Sequence, residues 1–227
     1  YLNSFFDRQQ KPHLVIDTEN VLITVGASHA LTATFLGICN PGDEVLVVEP
    51  YFSPYKGFLA VAGGTLRAIP TRAEDDFALP PTEEIEKLIT PRTRAIIFNS
   101  PNNPSGKIYS QDEVERLARI CIDHNLFIVS DEVYREMTLS DKEAFSVLQV
   151  DFKNDEMNEK LKNAIIMIDS ASKTFSLCGV RIGFVVARQP ILEKLALVVA
   201  HTTACVSDIM QYGVAGAYDA ILAQPGY

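Results

Sequence analysis

Tryptophan is absent from this 227-residue chain, histidine and cysteine occur four times each, and positive charge is scarce. Each shortage excludes something. Cys39, Cys121, Cys178 and Cys205 sit in apolar surroundings without C-x-x-C spacing. They read as reduced core residues of a cytoplasmic protein, with disulfides the lesser alternative. His201 and Cys205 share a helical i,i+4 spacing, but His13, His29 and His124 lie far off in sequence, so no metal centre is expected. The net charge of −9, with no basic cluster, argues against nucleic acid and against an anionic membrane surface. No apolar run approaches the roughly 20 residues that span a bilayer. The first residues, Tyr1 to Arg8, have neither the charged start nor the apolar core of a signal peptide, and there is no initiator methionine. They read as a helix that Pro12 ends. The last residues, Gln224 to Tyr227, supply no closing element, so the expectation is a portion of a longer protein.

What is present suits an α/β protein. Hydrophobic residues make up 47% and charged residues 22%, enough for a sizeable core in one large domain. Short apolar runs at 21–25, 44–48, 65–70, 95–98, 126–130, 164–168 and 184–187 read as seven strands. Helical patterns lie between most of them. These include 29–39, a segment reaching Ala62, a helix from Thr82 whose face is Ile85, Leu88 and Ile89, and one opened by the capping box Ser110/Glu113. The charged stretch 140–163 reads as surface helix and loop, and helices run from about Pro190 onward. Such alternation predicts a mainly parallel seven-stranded sheet with helices on both faces.

In such sheets ligands bind beyond the carboxyl ends of the strands. Gly26-Ala27-Ser28, Phe52, Asn103, Asp131 and Lys173 each fall just after a predicted strand. Small residues where a helix begins can present amides to a phosphate, although an ordinary strand–helix turn reads the same way. One aromatic among Tyr51, Phe52 and Tyr55 could give a flat platform, or all three could simply pack a loop. The loop Ser170 to Gly183 sets a lysine, an arginine and serines between two buried strands. A lysine there can form a Schiff base with a carbonyl, while hydroxyls and a guanidinium hold a phosphate on the same molecule.

The set Val25-Gly26-Ala27-Ser28-His29-Ala30-Leu31, Asn99-Ser100-Pro101-Asn102-Asn103-Pro104-Ser105-Gly106, Ser130-Asp131-Glu132-Val133-Tyr134 and Ser170-Ala171-Ser172-Lys173, with Arg181-Ile182-Gly183 beyond, resembles the class I/II aminotransferases. These are fold-type I enzymes dependent on pyridoxal 5′-phosphate, and the likeness covers nearly the whole chain. It implies that Lys173 carries the cofactor and shuttles a proton, that Asp131 pairs with the pyridinium nitrogen, and that Asn103 and Tyr134 bind the phenolic oxygen. It further implies that Phe52 stacks on the ring and that Ala27, Ser28, Ser170, Ser172 and Arg181 hold the phosphate. Partners implied are an amino acid, acidic or aromatic, a 2-oxo acid, and a second subunit in a homodimer. Residues 1–227 would be the large, cofactor-binding domain, with the small domain and its carboxylate-binding arginine, and the N-terminal segment, lying outside the sequence. Where relatives have a Ser/Asn-Pro-Pro-like turn, this chain has Ala204 to Asp208, so contacts with a partner subunit there are expected to differ. Lyase chemistry of the aminocyclopropane-carboxylate synthase kind, an effector-binding domain without catalysis, and a large domain that holds cofactor weakly all remain open on these motifs.

Overall fold

A computed structural model describes residues 16–138 and 143–224. The helix expected over residues 1–10 lies outside the described residues. Seven strands form a single sheet: β1 (Val21–Val25), β2 (Glu44–Val48), β3 (Thr65–Ile69), β4 (Thr93–Asn99), β5 (Phe127–Asp131), β6 (Ile165–Ser170) and β7 (Ile182–Ala187). Their order across the sheet is β1-β7-β6-β5-β4-β2-β3. The pairs β2/β3, β2/β4, β4/β5 and β5/β6 are parallel, whereas β7 runs antiparallel to both β1 and β6. The expected mainly parallel sheet is therefore present, with one reversed strand.

Successive side chains of a strand point to opposite faces, and here both faces are covered. Leu46, Val48, Ile96, Phe98, Ile165, Met167, Phe184 and Val186 join the core on one face. Val45, Val47, Ala95, Ile97, Ile166, Ile168, Val185 and Ala187 join the core on the other. This two-sided burial is why the strands read as unbroken apolar runs rather than alternating ones. Each buried aliphatic side chain contributes on the order of 1.5–3 kcal/mol of transfer free energy.

The described helices are α1 (Gly26–Ile38), α2 (Tyr55–Val61), α3 (Thr82–Glu86), α4 (Gln111–Asp123), α5 (Asp155–Lys162), α6 (Ala171–Thr174), α7 (Gln189–Thr203) and α8 (Asp208–Leu222). The capping box of α4 forms as read: Ser110 accepts from the Glu113 amide, and Glu113 accepts from the Ser110 amide. Two expectations are modified. The helix from Thr82 ends at Glu86, and Leu88 and Ile89 pack in a tighter turn ahead of Pro91, which disfavours helix in the residue before it. The stretch 140–163 is not all surface. Ala144, Val147, Leu148 and Val150 are buried, their apolar side chains placed in the core despite the charged residues around them in the sequence.

Candidate active site

The reversed strand decides the geometry. Val25 pairs with Ile182, and Gly183 with Ser170, so β7 starts at the rim where β1, β4, β5 and β6 end. Arg181, immediately before β7, thereby joins residues that follow parallel strands. A cleft of about 280 Å³ opens on this rim, and all ten residues singled out from the sequence line it: Ala27, Ser28, Phe52, Asn103, Asp131, Tyr134, Ser170, Ser172, Lys173 and Arg181. Leu31, Asn99, Val133 and Cys178 complete the lining.

The β1–α1 turn and the β7 start approach very closely. A Cβ on Gly26 would lie 2.3 Å from Arg181 Nη2, and one on Gly183 would lie 2.5 Å from the Gly26 carbonyl carbon. Gly26 also has φ +75°, a left-handed conformation that glycine adopts at little cost. Arg181 itself has φ +55°, which turns its side chain back so that Nη1 donates to the Cys178 carbonyl (2.8 Å) and Nη2 to the Val25 carbonyl (3.4 Å). The first amides of α1 have no side-chain cap. Guanidinium, hydroxyls and helix N-terminus thus converge on a small volume suited to an anion.

Asp131 lies at the bottom of the cleft and is 4% exposed. Burial pushes its carboxyl up to about 6, against the hydrogen bonds from Tyr55 and the Val133 amide. Tyr55 Oη donates to Asp131 Oδ2 at 2.6 Å. The phenol of Tyr55 is itself raised well above its usual range, by burial and then by Asp131. Nearer the mouth, Asn103 Nδ2 donates to Tyr134 Oη at 3.2 Å, and Lys173 Nζ sits over the Tyr134 ring at 5.3 Å from its centroid. Phe52 meets Tyr55 edge-on, with centroids 5.6 Å apart.

Two residues of the site escaped assignment from the sequence. Tyr55 was one aromatic of three in a loop, and nothing in its spacing pointed to Asp131. Asn99 ties the site together: Nδ2 donates to the Asp131 carbonyl at 2.8 Å, and Oδ1 accepts the Asn103 amide at 2.7 Å. Its place as the last residue of β4 was the available signal.

Fold and rim together define a doubly covered α/β sheet with an anion-suited cradle at one end of the cleft and a buried acid lining it. The chain belongs to the aminotransferase class I and II family, whose model matches residues 2–224. It is 33% identical over 199 residues to an aspartate aminotransferase of Bacillus subtilis, a match covering 88% of this chain and 49% of that protein. It is 34% identical over 199 residues to an aspartate/prephenate aminotransferase of Thermus thermophilus, with coverages of 88% and 49%. Among solved structures, an aspartate aminotransferase of Thermotoga maritima superposes with a TM-score of 0.84 at 32% identity, over 95% of this chain and 54% of that one. The chain spans about half the length of the curated relatives it matches. No helix among the described residues is long and apolar enough to cross a membrane.

The cofactor of this family is pyridoxal 5′-phosphate, and the residues present fit it. The cradle formed by Gly26, Gly183 and Arg181 has no space for a single added Cβ, and it offers donors to a phosphate. A buried acid held by two donors suits a cationic ring nitrogen.

Proposed function

We propose that this chain is the cofactor-binding domain of an aminotransferase that moves an amino group between an amino acid and a 2-oxo acid. Convergence of Lys173, Asp131 and Arg181 on one cleft carries this reading. When bound, pyridoxal 5′-phosphate supplies an electron sink for a carbanion at the substrate Cα. Lys173 would provide the amine that anchors the cofactor, and its nitrogen would be placed to move a proton at the substrate Cα. Asp131 would hold the proton on the ring nitrogen, and Tyr55 keeps the acid oriented. Tyr134 and Asn103, already hydrogen-bonded to each other, would hold the phenolic oxygen, and Phe52 at the cleft would offer a stacking surface. Ser28, Ser170, Ser172, Arg181 and the Ala27 amide hold the phosphate, with the arginine able to bind in a fork.

Dicarboxylic and aromatic amino acids are the substrate classes this reading favours, because relatives of both kinds match at similar identity. The partner is a second copy of the chain in a homodimer, and the compartment is the cytoplasm. Cys39 and Cys121 are core residues as expected, but Cys178 and Cys205 are exposed, because Cys178 lies in the loop at the cleft and Cys205 in the turn between α7 and α8. Borohydride reduction with pyridoxal 5′-phosphate, followed by peptide mapping, tests the reading. The label is expected on Lys173 alone, and Lys173→Ala is expected to abolish labelling and amino transfer. A label on another lysine, or none, overturns it.

A further inference from the structure

Beside Asp131 lies a group of buried charges to which the proposed chemistry gives no task. Arg135 donates through Nη1 to Glu132 Oε2 at 3.0 Å and through Nη2 to Asp169 Oδ2 at 2.5 Å. All three side chains are at most 3% exposed. Glu132 Oε1 also accepts from the Ser130 and Ser146 hydroxyls and from the Val147 amide. Asp169 Oδ1 accepts the Ser170 amide at 2.7 Å.

The connections join the two halves of the cleft. Glu132 and Arg135 follow Asp131 at the exit of β5, in the same turn that carries Tyr134. Asp169 precedes Ser170 at the end of β6, with Ser172 and Lys173 directly beyond. Stability alone is a poor account of the group. Desolvating such charges is costly, and apolar side chains of similar volume often serve a core as well or better. Burial first, with the Asp169 and Glu132 carboxylates adding to it, raises the pH at which Asp131 loses its proton. Arg135 holds its own proton more tightly than usual. Burial opposes this, but Asp169 and Glu132 outweigh it.

We propose that Arg135 and Asp169 are positioning residues for Asp131: their buried ion pair ties the exit of β5, which carries Asp131, to the end of β6, which leads to Lys173, and Asp131 feels a change in either charge. Other ionisable groups face the cluster too. Tyr218 from α8 does so together with Glu136 from the turn after β5, its phenol raised by burial and then by Asp169, while Tyr55 from α2 bonds Asp131 itself and Lys173 from α6 sits over the Tyr134 ring. They are common to every variant below, so differences between variants report the pair itself.

The inference rests on the reading of Asp131 as partner of the cofactor ring, and the test separates the two. The ionisation of Asp131 is followed in the cofactor-free chain by carbon NMR of labelled aspartate, with Asp131→Asn to assign the signal. The dissociation constant of pyridoxal 5′-phosphate is measured by equilibrium dialysis from about pH 5 to about pH 9. Asp169→Asn keeps an acceptor for the Ser170 amide and removes one anion, so Asp131 is expected to ionise at lower pH. Arg135→Met leaves the carboxylates uncompensated, and the shift is expected in the opposite direction. Each shift should be on the order of one pH unit, with the affinity profile following it. Arg135→Lys keeps the charge and should stay near the wild-type profile. It decides the matter together with Asp169→Asn if the harsher Met variant does not fold. Asp131 titrating identically in wild type and Asp169→Asn overturns the proposal, as do shifts of the same sign in Asp169→Asn and Arg135→Met. A wild-type chain that binds no cofactor, but whose Asp131 titration moves as expected, sinks the cofactor reading and supports the pair's effect on Asp131.

Discussion

Asp131 carries a cost that its surroundings make visible. Its carboxyl is raised to about 6 from 3.8, chiefly by burial. The folded protein therefore holds this proton more tightly than the unfolded chain does. Its contribution to stability is fully present below about pH 4 and is lost as pH rises through about 6, up to roughly 3 kcal/mol. At neutral pH the cofactor-free protein bears a buried anion that a ring cation would balance. Asp131→Asn is therefore expected to melt higher than wild type at pH 8 without cofactor, and the difference should vanish toward pH 4. The same variant should lose about two orders of magnitude of turnover, since an amide cannot stabilise a protonated ring nitrogen. Thermal melts across pH, with rates at saturating cofactor, check both. An unchanged melt at every pH would mean that the acid is not buried as an anion. Tyr55 belongs to this same balance, and its bond to Asp131 was invisible in the sequence. Two side chains 76 positions apart meet because β2 and β5 flank β4 in the sheet, and no local pattern encodes that adjacency.

At the scale of elements, the inner strands were legible because they are buried on both faces, and the half-buried edge strands β1 and β3 by their short apolar runs. The five chemically suited turns were legible because each follows a strand directly. The order of strands and the reversal of β7 were not, since both depend on long-range pairing. Yet that reversal brings Arg181 to the rim. A short apolar run was equally readable in either direction, and only the register Val25 with Ile182 fixes it. The close approach of β7 to α1 makes a sharp prediction. Gly26→Ala places a methyl against the Arg181 guanidinium and strains a residue at φ +75°. Gly42→Ala strains a residue at φ +87° but meets nothing within 4 Å. Both variants should lose about 1 kcal/mol or somewhat more in stability. Gly26→Ala alone should weaken binding of pyridoxal 5′-phosphate, by tenfold or more, because Arg181 must move. Denaturation curves and equilibrium dialysis on the two variants separate strain from loss of the cradle. Equal affinity in both would show that the cradle tolerates the methyl and that Arg181 is not held there by contact.

At the scale of the whole molecule, several large apolar side chains stay uncovered among the described residues. Helices α7 and α8 expose Leu197 (63%), Ile209 (80%), Met210 (42%) and Tyr212 (81%), and α8 buries only Val214 fully. Ile209, Met210 and Tyr212 lie within four residues of one helix, and large apolar side chains clustered in this way mark an association surface more often than scattered ones do. The proposed homodimer gives them a partner. Against it stands a net charge of −9 per chain, which makes two copies repel at low ionic strength. The two terms respond oppositely to salt. Screening removes the repulsion while apolar contact persists, so the dimer should tighten as salt rises from low to roughly 0.5 M, rather than loosen as an ion-paired interface would. Light scattering at tens of micromolar chain is expected to give twice the 25.1 kDa mass, with the monomer fraction falling as salt is added. Ile209→Glu and Tyr212→Glu, on exposed positions where the fold itself should tolerate the change, are expected to yield monomers at every salt concentration. Wild type that remains monomeric across the series, or dimers untouched by either substitution, would mean that this face meets something other than a second copy of the chain.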